Sequence, residues 1–193
     1  MKKIFDALFV KKKHICPWWL CFTFDNYFRT LIHDPDKILR PYVRENDTVL
    51  DIGPGMGYFT IPLARMVGAN GKVIAADIQK EMLDALHRRA QKAGVDKRIL
   101  LHLSTPQSLG INEIIDFALA FWMIHEVPDS RDLLKEIHSI LRPGGLFLMT
   151  EPSLHVSKAM YMESMRMAEK AGFTIKEGLK ISLSRSALFI KNS

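Results

Sequence analysis

Cysteine is scarce: two in 193 residues, Cys16 and Cys21, so a disulfide framework is excluded and a reducing, cytoplasmic setting is the expectation. No apolar run approaches the roughly 20 residues a membrane-spanning helix needs. Internal repeats and low-complexity segments are also absent. The opening Met1, Lys2, Lys3, Ile4, Phe5 imitates a signal peptide, but Asp6 interrupts it. Lys11, Lys12 and Lys13 then follow with no small-residue cleavage site, which argues against secretion. The net charge of +6 comes partly from five lysines among the first thirteen residues. Such a cluster can attract an anionic surface, yet no basic stripe interleaved with aromatics accompanies it, and nucleic acid is not an expected partner. At 48% hydrophobic residues the chain can bury the core of one domain but not of two large ones.

What is present is concentrated around one glycine turn. Thr48, Val49 and Leu50 form a short apolar run that ends in Asp51-Ile52-Gly53-Pro54-Gly55-Met56-Gly57, and a helical pattern follows over residues 58–67. A second apolar run, residues 72–76, ends on Asp77, twenty residues past Gly57. Strand, glycine turn, helix and a strand closing on a carboxylate make a nucleotide cradle, the last carboxylate being placed to accept from both ribose hydroxyls. Pro54 removes one N–H from the turn, and Asp51 adds a negative charge where a pyrophosphate would sit. A cationic nucleoside without phosphate suits this turn better than a dinucleotide.

The rhythm continues downstream as in an α/β domain with a parallel sheet. A helix is predicted over 79–93 with Met82, Leu83, Leu86 and Ala90 on one face and Gly94 as its stop. Strands are predicted at 98–103 and 114–123. Asp129 or Ser130 can cap a helix whose buried stripe is Leu133, Leu134, Ile137, Ile140 and Leu141. Arg142-Pro143-Gly144-Gly145 is read as a turn before a fifth strand at 146–150. A helix over 157–171 ends at Gly172, and two last strands near 173–178 and 186–190 are spaced to pair.

The spacing Asp-x-Gly-x-Gly-x-Gly, with Asp77 and the later Leu141-Arg142-Pro143-Gly144-Gly145, resembles the class I S-adenosylmethionine-dependent methyltransferases. The likeness extends over residues 36–191 and is nearest to the menaquinone and ubiquinone C-methyltransferase type. It implies a Rossmann-like, doubly wound α/β fold with a seven-stranded sheet, the last strand antiparallel, and helices on both faces. It also implies S-adenosylmethionine as cofactor and a domain over 36–193, preceded by an amino-terminal segment at 1–35. Gly53, Pro54, Gly55 and Gly57 are then expected beneath the methionine and ribose portions. Asp51 either answers the amino group or orders the loop, and Asp77 holds the ribose. Ile78 and Met82 can flank the adenine, although Met82 equally suits helix packing. The acidic residue that the family often carries after strand three is replaced by Leu103-Ser104-Thr105-Pro106-Gln107, so Ser104, Thr105 or a backbone carbonyl is the expected adenine partner.

By the same resemblance Ala120, Phe121 and Trp122 lie at the carboxyl end of strand four, beside the methyl group. The Asn/Asp-Pro-Pro-Tyr/Phe motif of amine and amide methylators is missing there, which favours a small apolar or aromatic acceptor. His125 is a candidate general base, with Glu151 and His155 as comparable candidates past strand five. Residues 14–28 hold Trp18, Trp19, four further aromatics and both cysteines; they are expected either to fold across the cleft and touch substrate through Cys16, Trp18 and Trp19 or to pack on the sheet's outer helices. Two other readings concern the same region. His14, Cys16 and Cys21 can bind a metalloid or thiol substrate, although Cys-x₄-Cys is not a standard zinc spacing and no resident metal is assigned. Alternatively, Ile4, Phe5, Leu8 and Phe9 beside the lysines can lie on a membrane surface. A methyltransferase-like domain that binds cofactor without turnover is the non-enzymatic alternative.

Overall fold

The structure, a computed structural model, describes residues 32–192. Its centre is a seven-stranded sheet in the order β3-β2-β1-β4-β5-β7-β6. The strands are β1 Thr48–Ile52, β2 Lys72–Asp77, β3 Ile99–Leu103, β4 Ile115–Phe121, β5 Leu141–Pro152, β6 Phe173–Leu179 and β7 Ser184–Lys191. Pairing is parallel from β3 through β5, while β7 runs antiparallel to both β5 and β6. The helices are α1 Pro35–Leu39, α2 Thr60–Met66, α3 Lys80–Lys92, α4 Ser130–Ile140 and α5 Lys158–Lys170. Single 3₁₀ turns stand at Asp96–Arg98 and Ile124–Glu126. The doubly wound fold expected from the sequence is therefore present, with its antiparallel last strand.

Alternation along the central strands feeds two cores. Leu50, Ile74, Ala118 and Phe147 pack on one face with the α4 stripe Leu134, Ile137 and Ile140. Val49, Val73, Phe117 and Leu148 pack on the other with Leu39 and Leu63. Successive side chains of a strand point to opposite faces, so a strand covered by helices on both must be apolar at nearly every position. Helix ends follow local chemistry. Asp129 caps α4 by accepting from the N–H groups of Arg131 and Asp132, and Ser157 caps α5 through the Met160 N–H.

Three boundaries differ from the sequence reading. Helix α2 begins at Thr60 rather than 58, because residues 55–59 stay in turns that carry the chain out of the glycine loop. Strand four stops at Phe121, since Trp122 has a φ of +63° that no strand can accommodate. Residues 142–145 do not separate a turn from β5 but bulge within it: Ile115 pairs with Leu141, and Phe117 already pairs with Leu146. Asp116 is the reason. Its carboxylate accepts from Arg142 Nε at 2.6 Å and from the Thr48 N–H at 2.8 Å, drawing the Pro-Gly-Gly excursion back to the sheet. Residues 1–31, with His14, Cys16, Trp18, Trp19, Cys21 and the amphipathic pattern, lie outside the described residues.

Candidate active site

The strand order reverses between β1 and β4, and at such a switch point the carboxyl ends of the strands leave a crevice. The loop after β1 enters it. Gly53, Gly55 and Gly57 have φ of +65°, +54° and +88°, a region that side chains rarely adopt. The Gly53 N–H donates to the Ala76 carbonyl at 2.9 Å, tying the loop to β2. Gly57 is also a packing requirement, because a Cβ there would lie 2.1 Å from Leu86 Cδ1 on α3. At Gly55 a Cβ would meet nothing within 4 Å, so this part of the loop faces open space.

Two carboxylates flank the loop and are treated differently. Asp51 is buried, and its Oδ2 accepts from Thr60 Oγ1 at 2.6 Å. That contact joins the end of β1 to the first residue of α2, which is loop-ordering work. Asp77, at the end of β2, is 8% exposed, and its Oδ1 accepts from the Gln79 N–H at 2.9 Å. Burial pushes its carboxyl up to about 6, and the Glu126 charge adds to the rise. Hydrogen bonds from the N–H groups of Gln79, Ile78 and Gly55 act in the opposite direction. The influences seen on Asp77 among the described residues are burial, backbone N–H groups and a second carboxylate, so the cradle there is acidic. It fits a cationic nucleoside and opposes a diphosphate.

Around Asp77, Ile78 is half-buried and Met82 is packed within α3. The Ser104 N–H donates to the Asp77 carbonyl at 2.9 Å, and Ser104 Oγ donates to the Leu109 carbonyl at 3.1 Å. Ser104 thus sits beside the β2 terminus. Thr105 belongs instead to an exposed turn in which its hydroxyl is engaged with Ser108.

At the end of β4, Ala120 is fully buried and Phe121 packs on Phe59 with ring centroids 4.3 Å apart. Trp122 is held in its left-handed conformation from two sides. Its backbone N–H donates to the Thr150 carbonyl at 2.7 Å, and its indole Nε1 donates to Ser184 Oγ at 2.9 Å. His33, which sequence reasoning missed, edges against both Phe121 and Trp122, with centroids 5.2 and 4.9 Å away. Its Nε2 donates to the Ser182 carbonyl at 2.7 Å, and Tyr58 donates its hydroxyl to the His33 carbonyl, also at 2.7 Å. No local sequence signal marks this residue.

Of the three catalytic candidates the fold brings two together. His125 Nδ1 lies 2.5 Å from Glu151 Oε2, and the other carboxylate oxygen accepts from the Ile124 N–H at 3.0 Å. His155 stays apart: it is exposed on the β5–α5 connection, where the chain turns outward. Two further groups join the neighbourhood of Glu151 without having been singled out by sequence. The Tyr161 hydroxyl is pushed up to about 12 by burial and then by the Glu151 charge, with Arg185 pulling the other way. Arg185 Nη1 donates to the carbonyls of Ser153 and Val156, bracing the β5–α5 connection. Among the described residues no group of three His, Cys, Asp or Glu is placed to hold a metal ion. Among them, too, no helix is long and apolar enough to cross a membrane.

Comparison with known proteins agrees with this geometry. Residues 43–183 match a family described as methyltransferase domain. A demethylmenaquinone methyltransferase of Oceanobacillus iheyensis is 29% identical over 118 residues, 61% of this chain and 50% of that protein. A ubiquinone biosynthesis O-methyltransferase of Paramagnetospirillum magneticum is 34% identical over 113 residues, 58% of this chain and 43% of that protein. The chain thus spans about half the length of the curated relatives it matches. In fold, a crystal structure of a SAM-dependent methyltransferase from Aquifex aeolicus superimposes with a TM-score of 0.83. At 22% identity it covers 92% of this chain and 100% of that one. With the family match extending from Val43 to Leu183, through the glycine loop, Asp77, His125 and Glu151, the chain belongs to the methyltransferase domain family.

Proposed function

We propose that this chain transfers a methyl group from S-adenosylmethionine to a small acceptor of apolar or aromatic character. The observation that carries the reading is Asp77: a buried carboxylate at the end of β2, hydrogen-bonded to the glycine loop. There it accepts from the ribose hydroxyls, while the Gly53, Pro54, Gly55 and Gly57 backbone passes beneath the ribose and methionine portions. Asp51 shapes that loop through Thr60 rather than reaching the ligand. Ser104 lies where the adenine edge is recognised, with Ile78 and Met82 along the ring and Ala120 and Phe121 behind it.

The cofactor supplies a methyl group on a sulfonium, a good leaving group that needs no acid. What the chain must add is alignment of the acceptor and exclusion of water. Trp122, fixed by Ser184 and His33, forms the acceptor wall. The relatives' names, demethylmenaquinone methyltransferase and ubiquinone biosynthesis O-methyltransferase, support a small molecule rather than nucleic acid as acceptor. A cytoplasmic protein, in peripheral contact with a membrane surface through its basic amino terminus, belongs to the same proposal.

Calorimetry tests the cofactor first. S-adenosylmethionine and S-adenosylhomocysteine are expected to bind the full chain, and NADH is not. NADH binding with no response to either sulfur nucleotide refutes the reading. Turnover is then read with methyl-labelled cofactor and cell extract; a chain that binds cofactor yet labels nothing is a binding domain instead.

A further inference from the structure

We propose that Thr150 and Ser186 form a polar subsite that takes a carbonyl oxygen of the acceptor, uncovered when the Trp122 indole turns aside. This rests on the methyltransferase reading above and deepens it by naming a group the acceptor carries: its aromatic body bears a ketone.

Thr150 on β5 and Ser186 on β7 are direct cross-strand partners. Thr150 is fully buried and Ser186 is 7% exposed, yet among the described residues neither hydroxyl has a hydrogen-bond partner. Side chains opposed in this way stand about 4.5–5.5 Å apart at Cβ, close enough to bond one another or to share one oxygen between them. They do not bond one another. Buried polar groups are nearly always satisfied, and an orphan lowers stability, so two orphans face to face are a cost that folding alone gives no reason to keep. By strand alternation both lie on the sheet face of Phe121, Leu148 and Leu188. Apolar walls with two hydroxyl donors match a flat apolar molecule carrying one acceptor oxygen, whose two lone pairs take one hydrogen bond from each.

Trp122 roofs the pair. In the sheet β5 lies between β4 and β7, and the indole, rooted just past β4, bonds Ser184 on β7 and so crosses β5. Ser184 and Ser186, two positions apart on one strand, share that face. The left-handed backbone of Trp122, at a φ of +63°, is strained for so bulky a residue, and the indole bond to Ser184 helps to hold it. Giving up that bond lets the backbone relax and uncovers the hydroxyls, while Ser184 keeps its own bond to the Ser182 carbonyl. Strain and two orphaned hydroxyls thus gather at the carboxyl ends of β4 and β5, where open sheets bind ligands. A ketone oxygen seated there satisfies both hydroxyls and fixes the aromatic body against Phe121 for methyl transfer. No bond is made or broken at this subsite; it orients.

The test uses the full chain saturated with S-adenosylhomocysteine and two probes of one shape. These are 2-acetylnaphthalene and 2-isopropenylnaphthalene, in which a methylene replaces the carbonyl oxygen. Calorimetry compares wild type with Ser186→Ala and with Thr150→Val/Ser186→Ala, both expected to bind S-adenosylhomocysteine as wild type does. Two lost hydrogen bonds should weaken the ketone about tenfold or more in the double variant and about threefold in the single one. The alkene should stay within about twofold. If the double variant does not fold, Ser186→Ala decides alone. Fluorine NMR of protein labelled with 5-fluorotryptophan, the Trp122 signal being assigned through Trp122→Phe, should show that signal move with the ketone. Equal weakening of both probes, no weakening, an unmoved Trp122 signal or no ketone binding by wild type overturns the proposal. So does a double variant with a lower Tm and unchanged ketone affinity, because the hydroxyls then hold an ordered water only. Failure of wild type to bind S-adenosylhomocysteine refutes the underlying reading instead.

Discussion

Between Asp51 and Asp77 the glycine-loop half of the site comes from a single βαβ unit, whereas the β4–β5–β7 edge is gathered from across the chain. His125 meets Glu151 over 26 residues, Trp122 meets Ser184 over 62, and His33 meets Ser182 over 149. The first half depends on backbone conformations that short peptides already specify. The second exists only once β4, β5 and β7 are in register. The two halves should therefore fail in different ways.

The largest expected effect lies in the first half. Asp77→Ala removes the charged acceptor proposed for two ribose hydroxyls, each hydrogen bond of this kind contributing about 1.5–3 kcal/mol. Affinity for S-adenosylmethionine by calorimetry should fall by about 100-fold or more. A Trp122→Phe protein that lost as much cofactor affinity would show that the halves are not separable. Next comes Gly57→Ala, which places a methyl group against Leu86 at a φ of +88°. Overpacking and backbone strain together should cost about 3 kcal/mol in urea unfolding. Gly55→Ala, with nothing near its Cβ, should cost about 1 kcal/mol.

Smaller still is a pH effect. Asp77 ionises at about 6 in the folded chain against an ordinary 3.8. Between those values the native state holds a proton that the unfolded chain has lost, so the contribution of Asp77 to stability falls as pH rises through that window. On the proposed reading cofactor binding runs the other way, because ribose hydroxyls donate to the ionised form. Affinity should drop about tenfold per pH unit below about 6, and Asp77→Asn should abolish that slope. The smallest effect belongs to the other half. Trp122→Phe gives up the indole bond to Ser184, whose hydroxyl also donates to the Ser182 carbonyl. It should destabilise the chain by about 1 kcal/mol while lowering acceptor turnover more than cofactor affinity.

The same division separates what could be read in the chain from what could not. Strand β2 ending on Asp77, α3 with its buried stripe and Gly94 stop, and the Asp129 cap were legible, since each rests on neighbours within a few positions. The excursion at 142–145 was misread as a turn because Asp116, which holds it to the sheet, is 26 residues from Arg142. His125, Glu151 and His155 were equal candidates by chemistry. The strand register pairs the first two, and the outward turn of the β5–α5 connection separates the third. Asp51 could have faced ligand or loop until Thr60 was seen on its carboxylate. Tyr161 and His33 carry no periodic or motif signal, so only the packed structure brings them to the site.

By itself the sequence determined the alternation of strands and helices, the glycine turn and the acidic end of β2. These follow from allowed backbone angles and from where apolar side chains must point, requirements met within a dozen residues. Only the tertiary structure decided that Thr60 meets Asp51, that His125 meets the buried Glu151, and that Trp122 packs against His33 and Ser184. Those choices are made by cross-strand register and by the need of each buried polar group for a partner, and neither is defined until the sheet has closed around them.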